Sequence, residues 1–222
     1  MAFEYSCFIS YPHGQDNVLV PIVQDFVEGL KIEIGAQSRK RVWFDQILTG
    51  GQWVDEAIGA GICRSACMIM FYTPLYFDEA HTYCARELKA MQDLEQDRMQ
   101  FVADKSRGLI IPIILRGEQR FPAIMKHRLF YDFTQHLFTS RRVKIREKYA
   151  RQIQEIASYV LNQCDSLDAA GNSLQHNCDK FCLPSVDAAK AFVQTVLQRS
   201  IVEVADSFPG RSDVLIREVS NS

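Results

Sequence analysis

The sequence predicts an α/β fold, in which a doubly wound parallel sheet carries helices on both of its faces. Strongly apolar runs recur along the chain and alternate with segments whose apolar residues are spaced as on a helix. Two of these runs, residues 66–72 and 109–115, are apolar almost throughout, which is typical of strands covered on both faces. Strands that alternate with helices indicate right-handed crossovers and a parallel sheet. With 222 residues and 47% apolar content, the chain can build one sizeable core.

The first predicted strand and helix lie near the start of the chain. Residues 5–11 are apolar and rich in aromatic side chains, and this run ends at a turn over residues 12–14. From Asn17 the apolar period becomes helical. One stripe of this helix is predicted to be buried, and it consists of Ile22, Val23, Phe26, Val27, Leu30 and Ile34.

A second strand and a short helix follow. Residues 41–44 form the strand, which ends at Asp45 and leads into a loop with two adjacent glycines, Gly50 and Gly51. Residues 53–61 then have the spacing of a short helix with one apolar face.

The third strand, residues 66–72, leads into a helix that carries Glu87. A buried stripe of this helix is predicted from Cys84, Leu88, Met91 and Leu94. Tyr83 and Glu87 are four residues apart, so they share a face that lies off the centre of that stripe. The positions three and four residues from Glu87 hold no Lys or Arg, so an ordinary helical ion pair does not account for this carboxylate. A solvated surface glutamate is the alternative interpretation.

Two strands and a closing helix complete the predicted sheet. Residues 109–115 form the fourth strand, residues 129–133 form a short fifth strand at the edge, and the closing helix ends near Asn162. In sheets of this kind, ligands bind at the carboxyl ends of the strands. Three predicted loops lie at those ends, and they follow Tyr11, Asp45 and Tyr72.

The composition changes after Cys164. Asp, Ser, Gly and Asn dominate as far as Asn177, which indicates a linker or surface loop, and Ser185 then has the position of a helix N-cap. The apolar face of the helix after it consists of Ala189, Phe192, Val193, Val196 and Leu197. We therefore predict one domain over residues 1–162 and a C-terminal extension over residues 163–222 with at least one helix.

The seven cysteines are predicted to be reduced, structural thiols. Four of them fall inside predicted strands or helices, where a thiol behaves as a small hydrophobe: Cys7, Cys63, Cys67 and Cys84. The candidate metal ligands are Cys164, His176, Cys178 and Cys182. Their spacing lacks the paired C-x2-C of a zinc knuckle, so no metal is predicted.

Charge and hydropathy exclude two classes of protein. A net charge of -2 with mixed signs gives no footprint for nucleic acid, and the basic residues between 141 and 148 are interpreted as the exposed first turns of a helix. No apolar run approaches the roughly 20 residues of a membrane span, and the N-terminus lacks the features of a signal peptide. We expect a cytoplasmic protein that contacts neither nucleic acid nor membrane.

An ordered set of short motifs resembles the Toll/interleukin-1 receptor (TIR) domain family. The motifs are Phe8-Ile9-Ser10-Tyr11, Val42-Trp43-Phe44-Asp45, the loop over residues 48–53, Thr73-Pro74-Leu75-Tyr76, Tyr83-Cys84-Ala85-Arg86-Glu87-Leu88 and Ile111-Pro112-Ile113-Ile114-Leu115. The resemblance covers roughly residues 3–162 and implies the flavodoxin-like, five-stranded TIR fold. Enzymatic members commonly have Trp where this chain has Tyr83. The loop over residues 48–53, called the BB loop in this family, lacks the proline familiar from animal adaptor domains, which points away from receptor signalling.

The resemblance to prokaryotic members implies that the chain consumes NAD+. Such enzymes cleave the bond between nicotinamide and ribose, and they release nicotinamide and leave ADP-ribose, a cyclic ADP-ribose or a base-exchanged product. Glu87 stands where they keep the catalytic carboxylate. The implied substrate-binding residues are Phe8, Tyr11, Asp45 and Tyr83, and the implied assembly residues, which would contact a neighbouring copy, are Leu48, Gly50, Gly51 and Trp53. No G-x-G-x-x-G fingerprint follows the first strand, so NAD+ is expected as a substrate and no cofactor is implied.

Several of these residues also have structural interpretations. Phe8 suits core packing, Tyr11 and Asp45 suit turn capping, and Trp53 suits a core or an interface. His13 and His81 are expected near the cleft as solvated side chains. A non-catalytic TIR-TIR interaction module, or an effector that mimics host adaptors, is the alternative function. The expected partners are NAD+, further copies of the chain and a sensor or effector protein, in a setting of bacterial anti-phage immunity.

Overall fold

In the computed structural model, a five-stranded parallel sheet forms the centre of the protein. The structure describes residues 3–13, 19–45, 53–78, 82–122, 125, 128, 130–135, 147–171 and 177–206, with side chains as far as Leu197. The strands are β1 (Tyr5–Ser10), β2 (Arg41–Trp43), β3 (Ser65–Tyr72), β4 (Ile110–Ile114) and β5 (Tyr131–Asp132). Their order across the sheet is β2-β1-β3-β4-β5, and every pair is parallel. This is the flavodoxin-like order, so the predicted fold is confirmed.

The chain changes direction across the sheet at β1. β2 pairs with one edge of β1 and β3 pairs with the other, and β4 and β5 follow beyond β3. Because such crossovers are right-handed, the helices before and after this reversal lie on opposite faces of the sheet. The carboxyl end of β1 is therefore a topological switch point, where open α/β sheets bind their ligands.

Helices cover both faces of the sheet. They are α1 (Val20–Gly35), α2 (Val54–Cys63), α3 (Thr82–Arg98), α4 (Glu147–Ala169) and α5 (Val186–Asp206). α1 packs against α4, while α2 packs against α3, and α5 packs along α3. The stripes predicted for α1 and α3 are buried, because their apolar side chains complete the core on each face. None of the described helices is long and apolar enough to cross a membrane.

α4 extends beyond its predicted end near Asn162, as far as Ala169, so that expectation was wrong. The last turns of α4 are rich in polar residues, but Cys164 and Leu167 are fully buried there and Gln163 is buried beside them. The side chain of Asp168 accepts a hydrogen bond from the backbone N–H of Phe3 at 3.3 Å. The last turns of α4 are thus part of the core, and the division of the chain at residue 162 stays a prediction.

The C-terminal segment, residues 177–197, lies against α2 and α3. Ser185 caps α5 as predicted, since its Oγ accepts a hydrogen bond from the backbone N–H of Ala188 at 3.2 Å. The predicted apolar face of α5 is buried at Ala189 and Val196, but Leu197 is exposed.

A disulfide joins Cys63, at the end of α2, to Cys178. The expectation of reduced thiols was therefore wrong for these two cysteines, and the pairing also removes Cys178 from the candidate metal ligands. Because 115 residues separate the two cysteines, their spacing in the sequence does not indicate that they pair. Cys7, Cys67, Cys84 and Cys164 are free and buried. Within the part of the chain that the structure describes, no three His, Cys, Asp or Glu side chains lie together in a group that could hold a metal ion. His176 lies outside that part.

Candidate functional site

A pocket of about 270 Å³ opens at the carboxyl ends of β1 and β2. Its walls are Phe8, Ile9, Tyr11, His13, Trp43, Asp45, Val54, Ile58, Tyr83, Cys84 and Glu87. The predicted carboxylate and the four predicted substrate-binding residues are thus brought together from β1, β2 and α3. The predicted loop residues Leu48, Gly50 and Gly51, and also His81, lie outside the described residues.

Glu87 lies inside the pocket, although sequence patterning alone favoured a surface position. The residue is only 8% exposed, and it projects from the second turn of α3 toward the end of β1. Its Oε2 accepts a hydrogen bond from the Oγ of Ser10 at 2.6 Å. The hydroxyl of Tyr76 lies 2.6 Å from the same Ser10 Oγ, so a chain of two buried hydroxyls leads to the carboxyl group.

The environment of Glu87 raises the pKa of its carboxyl group from 4.5 to about 7. Burial is the largest cause, because a low-dielectric surrounding disfavours the charged form. The hydrogen bond from Ser10 and the proximity of His13 oppose this rise, and Asp45 adds to it. At neutral pH this carboxyl group therefore exchanges between its two protonation states. Perturbed carboxyl groups of this kind are typical of functional sites.

Aromatic rings form the deep wall of the pocket. The rings of Phe8 and Trp43 are stacked, with centroids 4.3 Å apart and an angle of 14° between their planes. Gly61 makes room for this stack, since a Cβ at that position would lie 2.5 Å from the indole of Trp43. Phe8 is 1% exposed, so it belongs to the core and also faces the pocket. The two interpretations offered for Phe8 are therefore compatible.

Tyr11, Asp45 and His13 form one polar cluster at the side of the pocket. The Tyr11 hydroxyl donates to Oδ2 of Asp45 at 2.8 Å, and Nε2 of His13 lies 3.1 Å from the same oxygen. The hydrogen bond to Asp45 raises the pKa of the His13 imidazole, and burial, followed by the contact with Asp45, raises the pKa of Tyr11. Asp45 thus holds both Tyr11 and His13 beside the end of β2, and the Tyr11 hydroxyl already donates its hydrogen bond to Asp45.

Tyr83 stands at the mouth of the pocket and is 41% exposed. Its hydroxyl donates to Oδ1 of Asp55 at 2.7 Å. Arg86 donates to both oxygens of the same carboxylate, at 3.2 Å and 2.6 Å. Trp53, just before α2, is 78% exposed, so the expectation that it could be a core residue was wrong.

The sequence did not reveal several residues of the site. Ser10 and Tyr76 belonged to recognised motifs, but nothing in the spacing indicated a hydrogen-bond chain to Glu87. Trp43 also belonged to a recognised motif, and Val54 and Ile58 to the apolar face of a predicted helix, but nothing in their spacing indicated a pocket. The signal that was available for Ser10 is its place at the end of a strand that leads into the switch point.

The side chains that line the pocket determine which chemistry it can support. One end of the pocket is apolar and aromatic and suits a flat ring, while the carboxyl group of Glu87 lies beside it. A carboxylate in a mostly apolar cavity stabilises a developing positive charge more strongly than it would in water.

Comparison with known proteins gives one result that bears on identity. None of the curated proteins compared with the sequence matches it. Residues 7–147 match the family model of the TIR domain. Because that match covers more than half of the 222 residues, the chain belongs to the TIR domain family.

Proposed function

We propose that this TIR domain cleaves NAD+ at the bond between nicotinamide and ribose. The C1′–N1 bond breaks with its electron pair moving to the nicotinamide nitrogen, so nicotinamide leaves as a neutral molecule and the ribose becomes an oxocarbenium ion. Water then adds to C1′ and loses a proton, which yields ADP-ribose. Attack by an adenine nitrogen of the same molecule would instead yield a cyclic ADP-ribose.

The observation that carries this proposal is the burial of Glu87 against an apolar and aromatic wall. The leaving group of NAD+ is already cationic, so the reaction needs little acid catalysis and depends on stabilisation of positive charge at the ribose. An ionised Glu87 would supply that stabilisation, and it would also accept hydrogen bonds from the ribose hydroxyls. With a pKa of about 7, a large fraction of Glu87 is ionised at neutral pH, and a bound nicotinamide cation would increase that fraction.

The size and lining of the pocket support a particular placement of the substrate. A cavity of about 270 Å³ lies just below the usual range for ligand pockets, about 300–1,000 Å³, so it suits the nicotinamide riboside half of the dinucleotide and not the whole molecule. Phe8 and Trp43 would contact the nicotinamide ring, and Tyr83 would cover it at the mouth. The adenosine half would then extend outward, past the start of α2.

Exposed apolar side chains beside the mouth support self-association. Trp53 is 78% exposed and Val54 is 47% exposed, and both precede or begin α2 at the rim of the pocket. Exposed apolar surface of this kind marks contacts with other proteins. A neighbouring copy would cover this rim and complete the site. We place this reaction in the bacterial cytoplasm, where depletion of NAD+ or a nucleotide product would act in anti-phage immunity.

The proposal is tested by incubating purified protein with NAD+ and separating the products by chromatography. We expect nicotinamide together with ADP-ribose or a cyclic isomer, and no product from Glu87→Gln. Glu56→Gln is the matched control, because it removes an exposed carboxylate of α2 that does not line the pocket. If a folded and assembled wild-type protein forms no nicotinamide, the chain acts as a non-catalytic interaction module.

A further inference from the structure

The C-terminal segment is fastened to the two helices that form one side of the pocket. The Cys63–Cys178 disulfide joins it to the end of α2, and Arg64 forms an ion pair with Asp179 beside that bond. Gly59 of α2 approaches the segment closely, since a Cβ there would lie 2.7 Å from the backbone oxygen of Phe181. The segment lies beyond the matched residues 7–147 and is nevertheless packed against the site.

Arg86 connects this segment to the pocket. Its side chain is 9% exposed, and its Nε donates to the backbone oxygen of Pro184 at 2.7 Å. The other two nitrogens donate to the carboxylate of Asp55 in the first turn of α2. One guanidinium group thus joins α2, α3 and the C-terminal segment, in the paired geometry that Arg forms with a carboxylate.

Two residues that line the mouth depend on this junction. The hydroxyl of Tyr83 donates to Asp55, and the guanidinium carbon of Arg86 lies 5.2 Å from the centre of the Tyr83 ring. Val54, next to Asp55 in the chain, is the first residue of α2 and also lines the pocket. A displacement of Arg86 would therefore move both walls of the mouth.

We propose that Arg86 is a positioning residue of the pocket, held by the C-terminal segment, and that the Cys63–Cys178 disulfide controls how firmly it is held. This inference rests on the proposed function, because the pocket that it tunes is the NAD+ pocket. Arg86 does not line the pocket, so its effect on the pocket walls passes through Asp55 and Tyr83, while its charge also lowers the pKa of Glu87. The C-terminal extension thereby acquires a role as support for substrate binding.

A dithiol can reduce the Cys63–Cys178 disulfide and so release the C-terminal segment from α2. Its two thiols transfer two electrons and two protons to the Cys63–Cys178 bond, which leaves two cysteine thiols and oxidises the dithiol to a disulfide. In a reducing compartment, disulfides that persist are commonly redox-responsive. Reduction removes the covalent tie that holds the segment against α2, so the contact of Arg86 with Pro184 is held less firmly.

The first test compares substitutions at Arg86 in the full chain. At pH 8.5, where Glu87 is largely ionised, Arg86→Gln should raise the KM for NAD+ by about tenfold and change kcat by less than about threefold, since the loss falls on binding. Arg86→Lys keeps the charge without the paired geometry and should give an intermediate KM. Lys89→Gln is the matched control on the same helix, because Lys89 forms an ion pair with the exposed Asp93 and does not line the pocket, and the KM of this variant should equal that of the wild type.

A double-substitution cycle tests the route through Asp55. Asp55→Asn should raise KM in the same direction, and the combined variant should resemble Arg86→Gln alone, because both changes break one junction. If the two substitutions multiply each other's effect on KM in full, Arg86 does not act through Asp55.

The second test concerns the disulfide. Treatment with a dithiol should raise the KM of the wild type by about three- to tenfold, and re-oxidation should restore it. Cys63→Ser/Cys178→Ser should have the raised KM and no response to the dithiol. Cys182→Ser removes an exposed free thiol of the same segment and should respond as the wild type does. A double variant that still responds, or a wild type that does not respond, would overturn the redox part of the proposal.

A measurement that does not need catalysis separates this inference from the proposed function. Hydrogen exchange should accelerate on reduction in residues 177–185, in the first turn of α2 and in residues 82–88 of α3. If the wild type cleaves no NAD+ and this pattern still appears, the proposed function fails and the mechanical link remains. Acceleration confined to residues 177–185 would overturn the link, whatever the activity. So would an Arg86→Gln variant with an unchanged KM, or one whose loss falls on kcat alone.

Discussion

The hydroxyl of Ser10 donates a hydrogen bond of 2.6 Å to Oε2 of Glu87. A serine hydroxyl has a single proton, so the Tyr76 hydroxyl, also 2.6 Å from Ser10 Oγ, must donate to Ser10 while Ser10 donates to Glu87. Burial raises the pKa of Tyr76 well above its ordinary value, so this phenol keeps its proton. The two hydroxyls therefore form a directed chain that fixes Oε2, and we expect Oε1 to face the ribose.

Ser10→Ala should shift the pH dependence of activity to higher pH. The Ser10 hydrogen bond lowers the pKa of Glu87, so its loss raises that pKa further, and a smaller fraction of Glu87 is ionised at a given pH. A hydrogen bond to a charged group contributes about 1.5–3 kcal/mol, so kcat/KM at pH 6.5 should fall by about tenfold or more. A pH profile of kcat/KM measures this shift.

Ser6→Ala is the control for that experiment. Ser6 is buried in the same strand and donates to the backbone oxygen of Arg41 at 3.0 Å, away from the pocket. It should leave the pH profile unchanged. A Ser10→Ala enzyme with the wild-type profile would show that Ser10 does not tune Glu87.

Glu87→Gln should abolish activity and stabilise the protein at alkaline pH. Removal of the charge should reduce NAD+ cleavage by at least about two orders of magnitude, the scale expected for a key electrostatic group. Burial holds the folded-state pKa of Glu87 at about 7, above its ordinary value of 4.5. Between these two pH values the folded protein retains a proton that the unfolded chain releases, so the stability contributed by this group falls as pH rises through the window and stays low above it.

The neutral glutamine avoids that loss of stability. At pH 8 the variant should therefore unfold at a higher temperature than the wild type, by an amount that corresponds to about 1–3 kcal/mol, and the difference should shrink at pH 5. Thermal unfolding at the two pH values measures it. Equal stabilities at pH 8 would mean that the pKa of Glu87 is not raised by burial.

The sequence predicted the fold well because each element had a local signal. The stripe of α1 and the wholly apolar runs of β3 and β4 depend only on the spacing of neighbouring residues. The composition of the site was predicted from a resemblance, and the structure brought Phe8, Tyr11, Asp45, Tyr83 and Glu87 to one pocket. The catalytic and binding roles of these residues stay predictions.

Contacts between residues that are distant in the chain could not be predicted from the sequence. Ser10 and Glu87 are 77 positions apart, Arg86 and Pro184 are 98 apart, and the two bonded cysteines are 115 apart. None of these pairs has a local pattern, because only the packing of the helices on the sheet brings them together. The burial of Glu87 belongs to the same class, since its face of α3 reads as a surface until β1 and α2 enclose it.

Substitutions at Tyr83 should distinguish the contribution of its ring to activity from that of its hydroxyl. Tyr83→Ala should impair turnover more than Tyr83→Trp, because the proposed role is to present an aromatic face to the nicotinamide. Tyr83→Phe keeps the ring and loses only the hydrogen bond to Asp55, so its kcat should stay close to that of the wild type while its KM rises less than that of Tyr83→Ala. Steady-state kinetics of the three variants test this order. If Phe is as poor as Ala, the contact with Asp55 and not the ring face is what the pocket requires.

Removal of the Cys63–Cys178 disulfide should lower the stability of the fold. The bond closes a separation of 115 residues, and native disulfides typically contribute about 2–4 kcal/mol. For a chain of this length the loss corresponds to roughly 5–15 °C in Tm. Calorimetry of the wild type and of Cys63→Ser/Cys178→Ser measures it under oxidising conditions. Equal transition temperatures would show that the bond is not formed in solution.

Activity should depend on self-assembly through the rim of the pocket. Trp53 is 78% exposed, Val54 is 47% exposed, and Tyr83 adds further apolar surface at the same mouth. Contact with a neighbouring copy would bury this surface and hold the start of α2, so specific activity should rise steeply with protein concentration or with crowding. A bulky charged substitution at Gly51, in the loop that the sequence predicts before α2, should suppress activity while the monomer stays folded.

Trp53→Glu should have the same effect, because a buried unpaired charge at a contact is costly. Ile32→Glu is the matched control, since Ile32 is an equally prominent apolar side chain, 71% exposed, on α1 at the opposite face of the sheet. It should leave both assembly and specific activity unchanged. Light scattering and NAD+ cleavage are measured over the same range of concentrations. A monomer whose specific activity does not vary with concentration would exclude assembly as a requirement for catalysis.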